Sequence, residues 1–155
     1  MMMNLCSEVL RKLQGKTLAT AESCTGGGIG HALTAVPGSS EVYKGGIISY
    51  TNWVKEHLLG VDGKMLKRLG AVSAPVAEAM ASGARKALQT DAAVSVTGLA
   101  GPGGDEYGNP VGTVYLGYCD QNQTISRKFC FEGDREKVRE QSIREALKLI
   151  LEMQK

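Results

Sequence analysis

The chain has only two histidines, His31 and His57, among 155 residues. With no third nearby ligand at a metal-binding spacing, they do not propose a zinc centre, and neither falls beside a serine or cysteine as the base of a triad. The four cysteines, at positions 6, 24, 119 and 130, include no CxxC pair, and reduced thiols in a cytoplasmic protein are the simplest account of them. Aromatic residues make up 5% of the chain and the formal net charge is only +2, which leaves neither a basic stripe nor interleaved aromatics for nucleic acid. No apolar run approaches a membrane span, and the amino terminus lacks the basic and apolar regions of a secretory signal. Repeats, low-complexity tracts and interdomain linkers are also missing, so the length suggests one domain, residues 1–155, with a genuine core.

What the chain has in abundance is glycine, 20 residues, and two stretches gather it closely. The first is Thr17 to Gly28, TLATAESCTGGG. Leu18, Ala19 and Ala21 suit a buried strand ending at Glu22-Ser23, and Ile29, Ala32, Leu33 and Val36 then recur at helical spacing. Ser23 is thereby placed at the carboxyl end of a strand and the amino end of a helix, where free N–H groups favour an anion or an oxyanion. That geometry suits acyl transfer and phosphate binding equally, and Ser23 or Thr25 could instead merely cap the helix. Cys24 is an alternative nucleophile beside Ser23, although strand alternation points its side chain the other way.

The second glycine-rich stretch follows an apolar run, Ala92 to Thr97, and reads Thr97-Gly98-Leu99-Ala100-Gly101-Pro102-Gly103-Gly104. Two strands that both end in glycine-rich loops are expected side by side in an open α/β sheet, with a ligand beyond their ends. The loop is neither a Walker phosphate loop nor a GxGxxG opening a helix. Asp105 and Glu106, lacking a third ligand at a suitable spacing, read as a solvated loop rather than a metal site.

The remaining elements follow from periodicity. Residues 3 to 14 form a packing helix, Val42 to Tyr50 a strand, and Tyr50 to Lys55 a strand-to-helix step capped by Thr51 or Asn52. Lys55 falls in the first turn of that helix, where the dipole disfavours a protonated amine; a lone lysine there is otherwise an ordinary solvated residue. Residues 62 to 69 and Ala74 to Leu88 read as helices, with Ser73 a cap for the second. Val111 to Cys119 and Thr124 to Phe131 read as a hairpin about Asp120 to Gln123, which makes the sheet mixed. A final helix from Asp134 to Met153 carries Arg135, Arg139 and Arg144 on its polar side.

Seven ordered stretches closely resemble the carboxy-terminal domain of the CinA family: AESCTGG at 21–27, PGSS at 37–40, GGIISYTNWVKEHLLGV at 45–61, GAVSAPVAEAMASGA at 70–84, SVTGLAGPGG at 95–104, PVGTVYLG at 110–117 and FEGDREKVR at 131–139. The resemblance implies a three-layer α/β/α fold with a mixed sheet of about five strands. It also implies a stand-alone form of a domain that longer relatives carry behind another. The activity it implies is hydrolysis of nicotinamide mononucleotide to nicotinic acid mononucleotide and ammonia, without a cofactor or metal, by a homodimer or higher homo-oligomer. In that scheme Lys55 is the base for Ser23, Tyr50 orients the lysine or packs as an aromatic, and amides of Thr25, Gly26 and Gly27 hold the oxyanion. Thr97, Gly98 and Gly101 contact the substrate, and Arg139, less securely Arg135, takes its phosphate. The stretch Asp105 to Asn109 departs from the family pattern, in which a further small residue and a lysine are common. Two other readings remain open: a nucleotide-binding regulatory module connected with competence, and an amidase of another substrate.

Overall fold

Alternation along two central strands separates the molecule into its layers. In the computed structural model, which describes residues 1–155, β1 spans Leu18–Glu22 and β3 spans Ala92–Gly98, and they pair in parallel with Glu22 opposite Val96. Leu18 on β1 and Val94 and Val96 on β3 turn to one face, and Ala19, Ala21 and Ala93 to the other. Each face carries its own helical layer.

The larger core packs α1 (Met2–Lys12), α2 (Gly28–Thr34) and α6 (Arg135–Met153) against the first face through Val9, Leu13, Ile29, Leu33, Val138, Ala146 and Ile150. The smaller core packs α3 (Asn52–Leu59), α4 (Gly63–Leu69) and α5 (Ala74–Leu88) against the second through Leu59, Val61, Leu66, Val76, Met80 and Ala84. Small residues on the second face let α5 approach closely. A Cβ on Gly117 would strike the Ala77 carbonyl of α5, and one on Gly83 would strike the Leu59 carbonyl of α3.

β2 (Tyr43–Ile48), β4 (Thr113–Asp120) and β5 (Thr124–Cys130) complete a five-stranded sheet ordered β2-β1-β3-β4-β5. β1 is parallel to both of its neighbours, and β4 runs antiparallel to β3 and β5. The result is a three-layer α/β/α fold with a mixed sheet, as the family resemblance implies, and the hairpin lies where the sequence places it. Because β1 and β3 are adjacent and parallel, the two glycine-rich loops leave the same edge of the sheet.

The predicted boundaries shift by a few residues at several ends. The second strand starts at Tyr43 and closes at Ile48, so Ser49 and Tyr50 belong to the connection into α3. Thr51 caps α3, its hydroxyl accepting from the Val54 amide at 3.3 Å. Ser73 does not cap α5 with its side chain: its hydroxyl donates instead to the Gly70 carbonyl at 3.1 Å, while Pro75 enters the first turn without needing a donor. No helix is long and apolar enough to cross a membrane.

Candidate active site

The site begins with the parity of β1. Glu22 points toward α2 and Ser23, one residue on, toward the layer containing α3. The Glu22 carboxylate is 2% exposed and accepts three hydrogen bonds, from the Thr25 hydroxyl at 2.7 Å and the Ile29 and Gly30 amides at 2.8 and 3.0 Å. It therefore occupies the amino terminus of α2 that the sequence reserves for an external anion. This carboxylate is fixed by the protein itself, and it pins the turn that carries Ser23. Its main chain also contributes, because the Ser49 amide donates to the Glu22 carbonyl at 2.8 Å and so lays the end of β2 beside the nucleophile turn.

Lys55 reaches the same place from the first turn of α3. The side chain is 1% exposed, and Nζ lies 3.0 Å from Ser23 Oγ, 2.7 Å from the Ser49 carbonyl oxygen and 3.4 Å from that of Tyr50. No carboxylate partners it. Burial lowers its pKa from an ordinary 10.5 to about 8. The two carbonyls can only accept, so a neutral Lys55 amine would spend both N–H donors on them and direct its lone pair at the Ser23 hydroxyl. A serine hydroxyl facing the free lone pair of a poised amine is the arrangement of a general-base pair.

Ser23 and Lys55 stand at the floor of a cavity of about 690 Å³. Its walls come from the end of β3 and the loop after it, Thr97 to Gly103, from Ala71 and Val72 before α5, and from Tyr50, Asn52 and Arg135. A volume of this size accommodates a small ligand of the nucleotide class. Ser23 is itself 7% exposed and its amide is tied to the Val96 carbonyl at 3.0 Å, so the backbone of the nucleophile is held while the hydroxyl stays at the floor.

Several residues occupy places other than those expected. Thr25, Gly26 and Gly27 do not line this cavity, and Gly27 borders a smaller recess between α2 and β2. Gly26 and Gly28 donate their amides within the turn, to the Ser23 and Thr25 carbonyls. The amides of Cys24, Thr25 and Gly27 donate to no other residue, and of the three only Cys24 lines the cavity. The Cys24 side chain joins the core on the α6 side, and burial pushes its thiol up to about 11, which makes it a packed residue rather than a thiolate.

Arg139 also sits away from the cavity. Its guanidinium donates to the carbonyls of Cys24 and Thr25 at 3.0 and 3.2 Å, fastening α6 to the nucleophile turn. The arginine at the cavity is Arg135, which donates to the Gly101 carbonyl at 2.7 Å and to the Tyr50 hydroxyl at 3.3 Å. Tyr50 thus meets Lys55 through its carbonyl and Arg135 through its hydroxyl, and its ring stays exposed. Thr97, Gly98 and Gly101 line the cavity as expected, but the Thr97 hydroxyl already donates to the Ala71 carbonyl at 2.9 Å. A carboxylate one residue before the nucleophile, inside a fully buried strand, is the signal that could have revealed the role of Glu22 from sequence.

Comparison with known proteins agrees with this architecture. The model of the CinA C-terminal domain family matches residues 2–154. A CinA-like protein of Synechococcus sp. (strain RCC307) is 48% identical over 95% of this chain and 36% of its own length, and a putative competence-damage inducible protein of Moorella thermoacetica is 48% identical over 86% of this chain and 32% of its own. The chain thus spans about a third of the length of these curated relatives. Among solved structures, a competence-damaged protein (CinA) superfamily protein of Escherichia coli superposes with a TM-score of 0.96 at 35% identity, covering 99% of this chain and 90% of that one. A competence/damage inducible protein of Agrobacterium tumefaciens gives 0.96 at 36% identity, covering 99% and 96%. With its sequence matched from one end to the other and its fold reproduced in crystal structures, this chain belongs to the CinA C-terminal domain family.

Proposed function

We propose that the chain is an amidohydrolase that releases ammonia from the carboxamide of nicotinamide mononucleotide, leaving nicotinic acid mononucleotide. The observation that carries the reading is the buried Lys55 amine, with no carboxylate partner and 3.0 Å from Ser23 Oγ at the floor of a nucleotide-sized cavity. A solvated helix lysine would have neither the depressed pKa nor the two carbonyl acceptors. The family resemblance supplies the substrate.

In the proposed reaction the neutral Lys55 amine takes the Ser23 hydroxyl proton as Oγ forms a bond to the carboxamide carbon. The tetrahedral oxyanion is stabilised by the Cys24 amide, which lines the cavity, in place of the Thr25 to Gly27 amides, which do not. Lys55 then returns the proton to the departing nitrogen, the C–N bond breaks and ammonia leaves. Water, deprotonated by the same amine, attacks the acyl-serine; the C–Oγ bond breaks as Lys55 returns that proton to Ser23 Oγ, and the acid product leaves with both residues restored. Arg135 and the Gly101 to Gly103 backbone border the space for the phosphate-bearing end. The chain works in a cytoplasmic pyridine-nucleotide salvage step, as a homo-oligomer.

Ammonia release from nicotinamide mononucleotide by purified protein, beside Ser23→Ala and Lys55→Ala variants whose folding is checked by circular dichroism, tests this reading. Activity lost in both variants supports it. Activity surviving in Ser23→Ala rejects the serine nucleophile, and a parent protein that binds the nucleotide without releasing ammonia leaves the regulatory reading in its place.

A further inference from the structure

The loop after β3 forms a wall of the cavity and is held by its own side chains. Asp105 Oδ1 accepts from the Tyr107 and Asn109 amides, both at 3.1 Å, and Oδ2 accepts from Asn109 Nδ2 at 2.8 Å. Asn109 Nδ2 also reaches the Val72 carbonyl at 3.3 Å, which ties the loop to the segment before α5. These donors hold the Asp105 carboxyl below its usual range.

Tyr107 is fixed at both ends of its ring. The hydroxyl donates to the Lys67 carbonyl of α4 at 2.7 Å, and the ring lies against Gly70, where a Cβ would come within 2.6 Å of Cδ1. The ring is 40% exposed and lines the cavity, so a flat aromatic surface is presented to a ligand at little further entropic cost. Beside it, Glu106 lines the same cavity with no hydrogen bond and no ion pair. Asp105 has its charge spread over three donors, so Glu106 is the unneutralised anion of this wall. The cavity's exposed cation, Arg135, is anchored to Gly101 and Tyr50.

We propose that Tyr107 and Glu106 form a recognition subsite for a positively charged flat ring, making the cavity selective for N-alkylated pyridinium compounds over neutral rings of the same shape. This deepens the amidohydrolase reading and rests on it for the placement of the carboxamide at Ser23. An aromatic ring attracts a cation through its quadrupole, and a neighbouring carboxylate adds a Coulomb attraction that a neutral ring does not feel. The oxidised nicotinamide ring carries that charge. The reduced dihydropyridine ring and free nicotinamide do not, and they are poor ligands of this site. Distal phosphate repulsion by Glu106 is common to the oxidised and reduced nucleotides and cancels in their ratio.

Calorimetric titration of the Ser23→Ala protein with oxidised and with reduced nicotinamide mononucleotide tests the proposal without turnover. Oxidised nucleotide is expected to bind more tightly, and adding Glu106→Gln or Tyr107→Leu is expected to cut that preference about fivefold by weakening the oxidised form alone. Equal weakening of both forms, an unchanged ratio, or no binding of either nucleotide overturns it. Ammonia release by the parent protein separates this from the underlying reading. A retained charge preference without ammonia release rejects the amidohydrolase and keeps the subsite, whereas ammonia release with a ratio indifferent to both substitutions rejects the subsite alone.

Discussion

Lys55 and Ser23 come from separate layers of sequence, 32 positions apart, and meet at 3.0 Å because the end of β2 is hydrogen-bonded to the carbonyl of the residue before the serine. That main-chain bond, Ser49 to Glu22, extends the β1–β2 pairing by one step and brings the base alongside the nucleophile. The carbonyl of Ser49 then accepts from Lys55 Nζ, so the same dipeptide places the amine and orients it.

The protonation of this lysine sets the expected pH dependence. With a pKa lowered to about 8, Lys55 is mostly ammonium at pH 7 and mostly free amine by pH 9. Ammonia release at saturating substrate is expected to rise about tenfold per pH unit well below 8 and to level off above it. A rate that is flat from pH 6 to 9 contradicts Lys55 as the base.

The same shift makes a prediction about stability. The amine is protonated in both folded and unfolded chains below about 8, where its burial penalises the fold, and the penalty is relieved as pH rises from about 8 toward 10.5, where only the unfolded chain still holds the proton. Over that window the contribution is about 3 kcal/mol, the free energy equivalent of the shift. Lys55→Met, similar in length and without the charge, is expected to abolish ammonia release yet to match or exceed the parent in stability at pH 7. Urea titrations at pH 7 and pH 9.5 check it, because the variant loses the parent's gain between the two. A variant several kcal/mol less stable at pH 7 refutes the account.

The layers of the fold were legible in the sequence because periodicity records burial. Ala19 and Ala21 alternate with Leu18 and Thr20 on a strand buried on both faces, and the small residues of α5 record how closely it packs on the sheet. Ser23 is legible from the apolar strand that ends in a run of glycines, and Lys55 through the resemblance. The oxyanion amides follow from position along the chain and the phosphate arginine from the family motif, and neither contains which way a turn or a helix faces. Gly26, Gly27 and Arg139 lie near Ser23 in sequence or in motif, but the buried carboxylate of Glu22 draws the start of α2 toward itself and Arg139 is used up on the turn's carbonyls. Local spacing cannot report a three-donor cage around a single carboxylate, since its partners are decided by the fold of residues 25 to 30.

Packing alone should also control the base. Gly83 of α5 lies beneath the Leu59 carbonyl at the end of α3, and a methyl group there has no room. Gly83→Ala is expected to push α3 away from α5 and so withdraw Lys55 from Ser23, although neither residue is altered. Helix propensity favours alanine by about 1 kcal/mol, so a net loss of stability isolates the steric term. Thermal unfolding and ammonia release are both expected to fall, with kcat reduced more than KM is raised. Normal activity with raised stability contradicts the close contact.

The two arginines of α6 are expected to part in their effects, because they are used on different groups. Arg139 is half-buried and satisfies two carbonyls of the nucleophile turn, so Arg139→Ala leaves both oxygens without a charged donor and costs about 2 to 3 kcal/mol of folding stability, with activity falling through misplacement of Ser23. Arg135 sits at the cavity with its guanidinium exposed, held only by the Gly101 carbonyl and the Tyr50 hydroxyl. Arg135→Ala is expected to leave the unfolding midpoint nearly unchanged and to raise KM for nicotinamide mononucleotide about tenfold, with a smaller increase for the riboside that lacks the phosphate. Denaturant titration and steady-state kinetics with both substrates on both variants decide it. If Arg139→Ala raises KM selectively for the phosphorylated substrate without loss of stability, the anion site lies at Arg139, and the cavity wall assigned to Arg135 has been given the wrong end of the substrate.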